Sequence, residues 1–582
     1  MLNPKTPGVF IQEVSTLPAS VAPVATAIPA FVGYTEKRGD GFPVNTPTRI
    51  TSMVEYEAIF GGPFDENYEV TIADGATNDD PPVITVDDSS LSPYLLYYNM
   101  QMYFSNGGGP CYVISVGTYD FTTPSVDGDL LKDGVDAVSQ EDEPTLLVVP
   151  EAVMVGDTAR NTLHTTMLAQ CRRLQDRFTL MDVLVDAAGS GSTVKEDGDY
   201  FRNNEVNLEY LNYGAAYYPS LKTSFIRYYT EGTVNISDTR GTVAADRPFD
   251  GESLSVLKNG SSAAAQRATA TITITSGFRN LDDPTTTFII GAQNITIGTG
   301  NDQFEIGDSA ADTATNLAAA ITAVNATADG SVITLEAGTP GVAGNETSIS
   351  FSGSSGARLS GSTLEGGSAG GDSPDLELYG AIKTQLDSYR MTLYPSSAIA
   401  GVYARVDRNR GVWKAPANVS VNSVSSPTVL VTDDEQGGLN VDPTAGKSIN
   451  VIRNFTGKGT LVWGARTLAG NDNEWRYVPV RRLFIFIEES IQKATEPTVF
   501  EPNDANTWTK LRTLIENFLA SLWREGALAG ASPADAFFVK VGLGETMTAL
   551  DILEGRLNVE IGIAAVRPAE FIILKFSHKL QE

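Results

Sequence analysis

Between about residues 232 and 375 the chain changes character, and this break constrains the fold more than any other feature. The stretch is rich in Gly, Ser, Thr and Ala. It carries the runs ATATITITSG, TTFIIGAQNITIG, SVITLEAG and TSISFSG, separated by turn residues. Alternating apolar positions of this kind mark half-buried strands. One helix interrupts them, SAADTATNLAAAITAVNA, in which Ser309 and Asp312 have capping-box spacing and Leu317, Ala320, Ile321 and Val324 form one apolar face. Persistent periodicity argues against disorder, while GSSAAAQ and EGGSAGGDS read as flexible linkers at its ends. The segment reads as a small β-rich domain inserted between two halves of another.

The flanking halves alternate strand and helix. AIPAFVGYTEKRG reads as a buried strand ending in a charged turn, and TRITSMVEYEAIFGG as a strand and short helix closed by Gly61-Gly62. Residues near 63–90 are acidic and Pro-rich, a loop or small hairpin. LSPYLLYYNMQMYFSNGGGPCYVISVG predicts an amphipathic helix, a stop at Gly107–Gly109 and a buried strand. PTLLVVP, the helix through Arg172 and Arg173, and FTLMDVLVD form a strand–helix–strand series. The fold class is therefore α/β, mixed with α+β elements, in a multidomain chain. At 582 residues, with 42% hydrophobic and 19% charged side chains, there is length for several cores.

Function classes fall away quickly. A net charge of −30 repels nucleic-acid phosphates, and no basic cluster offsets it. The N-terminus lacks the apolar region of a signal peptide, no stretch is long enough to span a bilayer, and two cysteines, Cys111 and Cys171, suit a reducing compartment. His164 and His578 are the only histidines, and His164, within NTLHTTMLAQCRRLQDRF, reads as a helix-surface residue rather than a general base. TAGKS (Thr444 to Ser448) mimics the end of a phosphate-binding loop, but Val441 stands where its first glycine belongs. No catalytic, cofactor or metal site emerges.

The ends are unusual. TPGVFIQEVS reads as a strand on Val9, Phe10, Ile11 and Val14, followed not by a hairpin turn but by a stiff tether spaced by Pro18, Pro23 and Pro29. RLNVEIGI and EFIILKF read as strands running almost to Glu582, the latter with Phe571, Ile573 and Phe576. A strand held away from its own body suits donation to a neighbour's sheet edge. In RNRGVWKAPAN, Trp413 is a large anchor and Gly411 a turn. VWGARTL reads as a strand with Leu461 and Trp463 packed inward and Arg466 a candidate inter-subunit charge. Arg481, Arg482, Glu488 and Glu489 straddle LFIFI as structural ion pairs on a helix.

Ten collinear motifs carry a resemblance: TPGVFIQEV, AFVGYTEKRG, SNGGGPCYVISVG, YGAAYYPSLK, AGVYARVDRNRGVWKAPAN, VWGARTL, VRRLFIFIEESI, FEPND, FLASLWREGALAG and RPAEFIILKF. In order and spacing the chain resembles the contractile tail sheath proteins of bacteriophages, pyocin-type bacteriocins and phage-tail-like injection systems, outside the acidic loop and the insert. The resemblance implies a strand arm and linker at 1–25, a first core part at 26–231, an outer β-rich insert at 232–375, a C-terminal core domain at 376–555, and final strands and arm at 556–582. It implies a structural, non-enzymatic subunit, free of cofactors, assembled in the bacterial cytoplasm into a virion tail or tail-like particle. Its partners would be itself, as hexameric rings stacked helically, an inner tube protein, and baseplate and terminator proteins, without nucleic acid or membrane insertion. Contraction would draw on two packings of folded subunits rather than nucleotide hydrolysis. The arms, Val9, Phe10, Ile11 and Val14 at one end and Phe571, Ile573 and Phe576 at the other, would exchange between subunits. A surface-displayed β-rich adhesin or array protein is the alternative.

TWTKLRTLIENFLASLWREGAL, placed on a helical wheel, puts Trp508, Leu511, Leu514, Ile515, Phe518, Leu519 and Leu522 on one face. Lys510, Thr513, Asn517 and Arg524 lie opposite, the two cations roughly 21 Å apart along the helix. In a chain so acidic, in the domain that lines the tube in related sheaths, these four are the candidate tube contacts.

Overall fold

The structure is a computed structural model that describes residues 21–574, apart from 40, 42, 76–80, 89–90, 242–248, 260–266, 277, 340–341, 353–355 and 367–373. The chain forms two compact units. One comprises residues up to Phe64, Ser92–Arg227 and the chain from Arg390 onward; the other comprises Asp65–Leu91 and Tyr228–Tyr389.

The first unit is built on a nine-stranded sheet. Its order is Thr48–Ile50, Cys111–Thr118, Pro29–Thr35, Leu146–Val148, Phe178–Asp182, Gly214–Tyr218, Ile449–Phe455, Gly459–Val462 and Val419–Ser420. The six strands from Cys111–Thr118 to Ile449–Phe455 run parallel, and antiparallel strands close both edges. Parallel strands covered on both faces need unbroken apolar runs, which PAFVGYT and FTLMD supply with every residue buried. Phe31 meets Tyr103 edge-on at 5.0 Å, and a Cβ at Gly33 would lie 3.2 Å from Leu96, so these alternate residues face the Leu96–Ser105 helix. Val32 points the other way, where a Cβ on Gly134 of the Gly128–Val138 helix would come within 2.6 Å of it. Helices thus cover both faces. The parallel pairing of Ile449–Val451 with Ala216–Tyr218 joins the two sequence halves directly.

Several expectations need correction. The Leu96–Ser105 helix is not amphipathic: seven of its ten residues are buried, because the Ser396–Arg410 helix packs over the side away from the sheet. There Gly401 lets the backbones close, since a Cβ would sit 2.5 Å from the Tyr103 carbonyl oxygen. His164 is no surface residue. It is buried, its Nδ1 lies 3.0 Å from the Glu205 carbonyl oxygen, and burial pulls its pKa down to about 4, leaving it neutral.

The second unit contains two four-stranded sheets and a three-stranded one. In the latter, Tyr68–Ala73 pairs parallel with Val234–Asp238 and antiparallel with Val83–Asp87. The acidic segment near 63–90 therefore belongs to the same unit as the residues around 232–375, and that unit reaches to Tyr228 and Tyr389. Where the sequence reads one helix in this stretch, the unit has Leu254–Asn259 and Leu376–Ser388 as well as Ala310–Ala320; the last is capped by Ser309 as the spacing predicts, but Ile321 and Val324 are buried beyond its end rather than on it.

After the central sheet, the first unit forms a small core from the helices Val478–Thr495 and Ala505–Arg524 and the antiparallel pair Phe537–Lys540 and Glu560–Ile563. Leu483, Ile487, Ile515, Phe518 and Leu519 lie at its centre. Arg481 pairs with Glu488 and Glu489 with Lys493, but Arg482 leaves its helix to pair with Asp407. Two readings of VWGARTL are overturned. Trp463 is 36% exposed, lying on Phe455 rather than inward, and Arg466 is buried against Glu570 of its own chain, so it is not a free inter-subunit charge.

Candidate assembly surface

The pair Phe537–Lys540 and Glu560–Ile563 is a sheet of only two strands. In its register Phe537 opposes Ile563 and Val539 opposes Ile561, and these four side chains pack on the helical core. On the other face Phe538 lies over Gly562, where a Cβ would clash at 2.2 Å, and Lys540 reaches Glu560 at 3.7 Å. Isolated two-stranded ladders are marginal in water. Both outer edges lack a neighbouring strand among the described residues, which leaves a template for strands from another chain. Beside it opens a groove of about 620 Å3 lined by Phe484, Ile487, Ile491, Ile515 and Ile561, with a fully exposed Phe500 at its rim.

The chain's C-terminal segment departs from this region. Of the expected strand EFIILKF, the described part forms no ladder with any described residue: Phe571, Ile572, Ile573 and Leu574 are 70–81% exposed. Phe576 lies outside the described residues. The preceding residue, in contrast, is firmly held. Glu570 Oε1 accepts from Arg466 Nε at 3.0 Å and Asn440 Nδ2 at 2.8 Å, and Oε2 from Arg466 Nη2 at 2.7 Å and the Tyr477 hydroxyl at 3.1 Å. Burial pushes the Glu570 carboxyl up, but the donors from Arg466 and Asn440 outweigh it and hold the pKa below the ordinary range, so the group is ionised. A cavity of about 820 Å3 adjoins it, lined by Trp413, Trp463, Tyr477, Lys414, Arg567 and Phe571.

At the other end, Val21 packs in the C-terminal helical core, Val24 N–H donates to Ser490 Oγ at 3.2 Å, and Ile28 N–H donates to Thr145 Oγ1 at 2.9 Å. The tether is thus tied to the Val478–Thr495 helix before it enters the sheet. Val9, Phe10, Ile11 and Val14 lie outside the described residues.

In the Ala505–Arg524 helix, Asp504 caps the N-terminus by accepting from Asn506 and Thr507. Leu511, Ile515, Phe518, Leu519 and Leu522 are buried, with Trp508 and Leu514 half-buried. Lys510, Asn517 and Arg524 are exposed, and neither cation has an ion-pair partner among the described residues. Thr513 is half-buried and its hydroxyl donates to the Thr509 carbonyl. At TAGKS, Asp442 accepts from the backbone N–H groups of Thr444, Ala445 and Lys447. The buried Lys447 donates to the carbonyls of Arg202 and Val206, so the loop is closed on its own lysine.

Sequence reasoning missed the Glu570 clamp and the cavity beside it. Their residues lie up to 130 positions apart, and no local spacing announces them.

Comparisons with known proteins agree with one another. A family model for the phage tail sheath C-terminal domain matches residues 470–579. The tail sheath protein of Burkholderia phage BcepMu is 31% identical over 140 residues, 23% of this chain and 29% of that protein. That of Enterobacteria phage T4 is 26% identical over 121 residues, 21% of this chain and 18% of the relative. The matched stretches thus span less than a third of these relatives. Solved structures match throughout. The PVC sheath complex of an extracellular contractile injection system, in its contracted state, is 25% identical with a TM-score of 0.53, covering 100% of this chain and 99% of that one. The helical sheath of the anti-feeding prophage, also contracted, is 26% identical with a TM-score of 0.53, covering 98% and 99%.

Proposed function

We propose that this chain, a contractile tail sheath protein by its C-terminal domain and whole-chain fold, is the structural subunit of a sheath that polymerises helically around an inner tube and drives that tube through a target envelope by contracting. The observation that carries this reading is the end-to-end match to sheath subunits of contractile injection systems. The two-stranded ladder with open edges and the exposed apolar segment at Phe571–Leu574 supply its physical means: one copy's segment extends another copy's sheet. Copies assemble with themselves first, and a baseplate caps the stack, as the similarity to a chain in the anti-feeding prophage baseplate supports. The subunit performs no chemistry. Its work comes from a difference in packing between two arrangements of folded subunits.

Each ladder hydrogen bond contributes only ~0.5–1.5 kcal/mol net against ~1–2 kcal/mol for ordering a residue, so a single arm binds weakly and multivalency along the polymer supplies the total. Deleting residues 1–20 is expected to leave soluble, folded monomers that form no hollow striated tubes in negative-stain images. Tubes of normal length from that truncation would defeat the arm-exchange reading.

A further inference from the structure

We infer that Glu570 is a positioning residue: its clamp with Arg466, Asn440 and Tyr477 aims the apolar segment Phe571–Leu574 away from its own subunit and toward a second copy of this chain. The inference rests on the reading above that the C-terminal arm joins copies.

The clamp is anchored deep in the fold. Arg466 is 5% exposed, its Nη1 donates to the Asn440 carbonyl at 3.1 Å, and its backbone N–H donates to Asn450 Oδ1 at 2.8 Å. Asn450 belongs to the Ile449–Phe455 strand of the central sheet, and its Nδ2 donates back to the Arg466 carbonyl at 2.8 Å. One carboxylate, with all four donors within 3.1 Å, is therefore tied through Arg466 and Asn450 to the central sheet. One residue later the chain turns from clamped to almost fully exposed, across a run of Phe, Ile, Ile and Leu.

Exposed apolar residues of this size tend to cover themselves. Phe571 and Ile572 already form part of the wall of the cavity that holds Trp413 and Trp463, so this is an apolar surface on which the rest of the run could fold back. Fixing the departure point at Glu570 opposes that collapse. Apparent affinity for a partner scales with the fraction of chains whose arm is in a competent orientation, so the clamp acts by pre-organisation and not by contact with the partner. Its bidentate guanidinium–carboxylate geometry fixes direction as well as distance, which a single-point lysine pair would not do.

The test uses the full chain. Glu570→Gln and Glu570→Ala are compared with wild type for the concentration at which tubes appear by light scattering. In parallel, a spin label is placed on the variant Ile573→Cys, the natural Cys111 and Cys171 being buried. Freeing the clamp is expected to raise the assembly threshold about tenfold and to sharpen the label's spectrum in the monomer; Glu570→Ala also lowers the tryptophan-detected unfolding transition, because Arg466 stays buried without its partner, so the comparison of assembly is made under conditions where each variant is folded. Asn440→Ala, which removes one donor, provides the same readouts should the Glu570 variants fail to fold. An unchanged threshold or an unchanged label spectrum overturns the inference. A chain ending at Glu570 separates the two layers: normal assembly of that truncation defeats the arm reading itself, whereas its failure together with normal assembly of the Glu570 variants defeats only the clamp.

Discussion

Replacing Asp407 with alanine probes how the N-terminal tether and the C-terminal helices are fastened together. The Arg482 guanidinium reaches Asp407 through Nη1 at 3.0 Å and Nη2 at 2.6 Å, donates to the Thr26 carbonyl at 2.6 Å, and lies 4.6 Å from the centre of the Tyr403 ring. The two charged side chains are 3% and 6% exposed. Hydrogen bonds to charged groups contribute ~1.5–3 kcal/mol each, so losing two removes roughly 3–6 kcal/mol. Removing one partner of a buried ion pair costs about 3–5 kcal/mol, because the other charge stays behind uncompensated. The expected loss for Asp407→Ala is therefore about 3–5 kcal/mol. All five tryptophans, Trp413, Trp463, Trp475, Trp508 and Trp523, lie in the first unit, so their emission during urea unfolding follows that unit alone. The double variant Asp407→Leu with Arg482→Met should recover most of the loss, since the desolvation penalty vanishes with the attraction. A single-variant loss under ~1 kcal/mol, or a double variant no more stable than the single, would refute the reasoning.

Lys510→Glu with Arg524→Glu is expected to leave the protein able to polymerise alone but unable to assemble extended on its tube; normal extended tails would rule the helix out as the tube contact. Deleting 232–375 alone should yield aggregating protein, because it strips the Val234–Asp238 partner from Tyr68–Ala73 and exposes Tyr68, Val70 and Ile72, whereas removing 65–91 and 228–389 together should preserve solubility and tube formation. Equal behaviour of the two deletions in a sedimentation assay would contradict the unit boundaries. Acidity should stabilise the first unit over a defined window. Burial pushes the carboxyls of Glu151, Asp182 and Glu205 up to about 7, above their ordinary 4.5, 3.8 and 4.5, so the folded state holds more protons there and stability is lost as pH rises through about 7. His164, pulled down to about 4 from 6.5, opposes this below its ordinary value but is one group against three. A melting temperature by circular dichroism that is lower at pH 5.5 than at pH 7.5 would contradict this balance.

Local chemistry alone determined much of this protein. The apolar runs of Pro29–Thr35 and Phe178–Asp182, the cap at Ser309, the stop after Phe60 at a glycine with φ 85°, and the buried face of Ala505–Arg524 follow from spacing and residue type within a dozen positions. Tertiary structure decided what depends on residues far apart. Tyr68–Ala73 joined the inserted unit because its parallel partner lies more than 160 residues later. The Leu96–Ser105 helix lost its solvent face to a helix some 300 residues away. His164 went inside although its sequence suited a surface, and Arg466 found Glu570, 104 positions on, rather than a neighbour. Periodicity says which side of an element is apolar, but not how many sides the fold will cover. A charge's partner is set by the closure of the chain in space, to which sequence separation is blind.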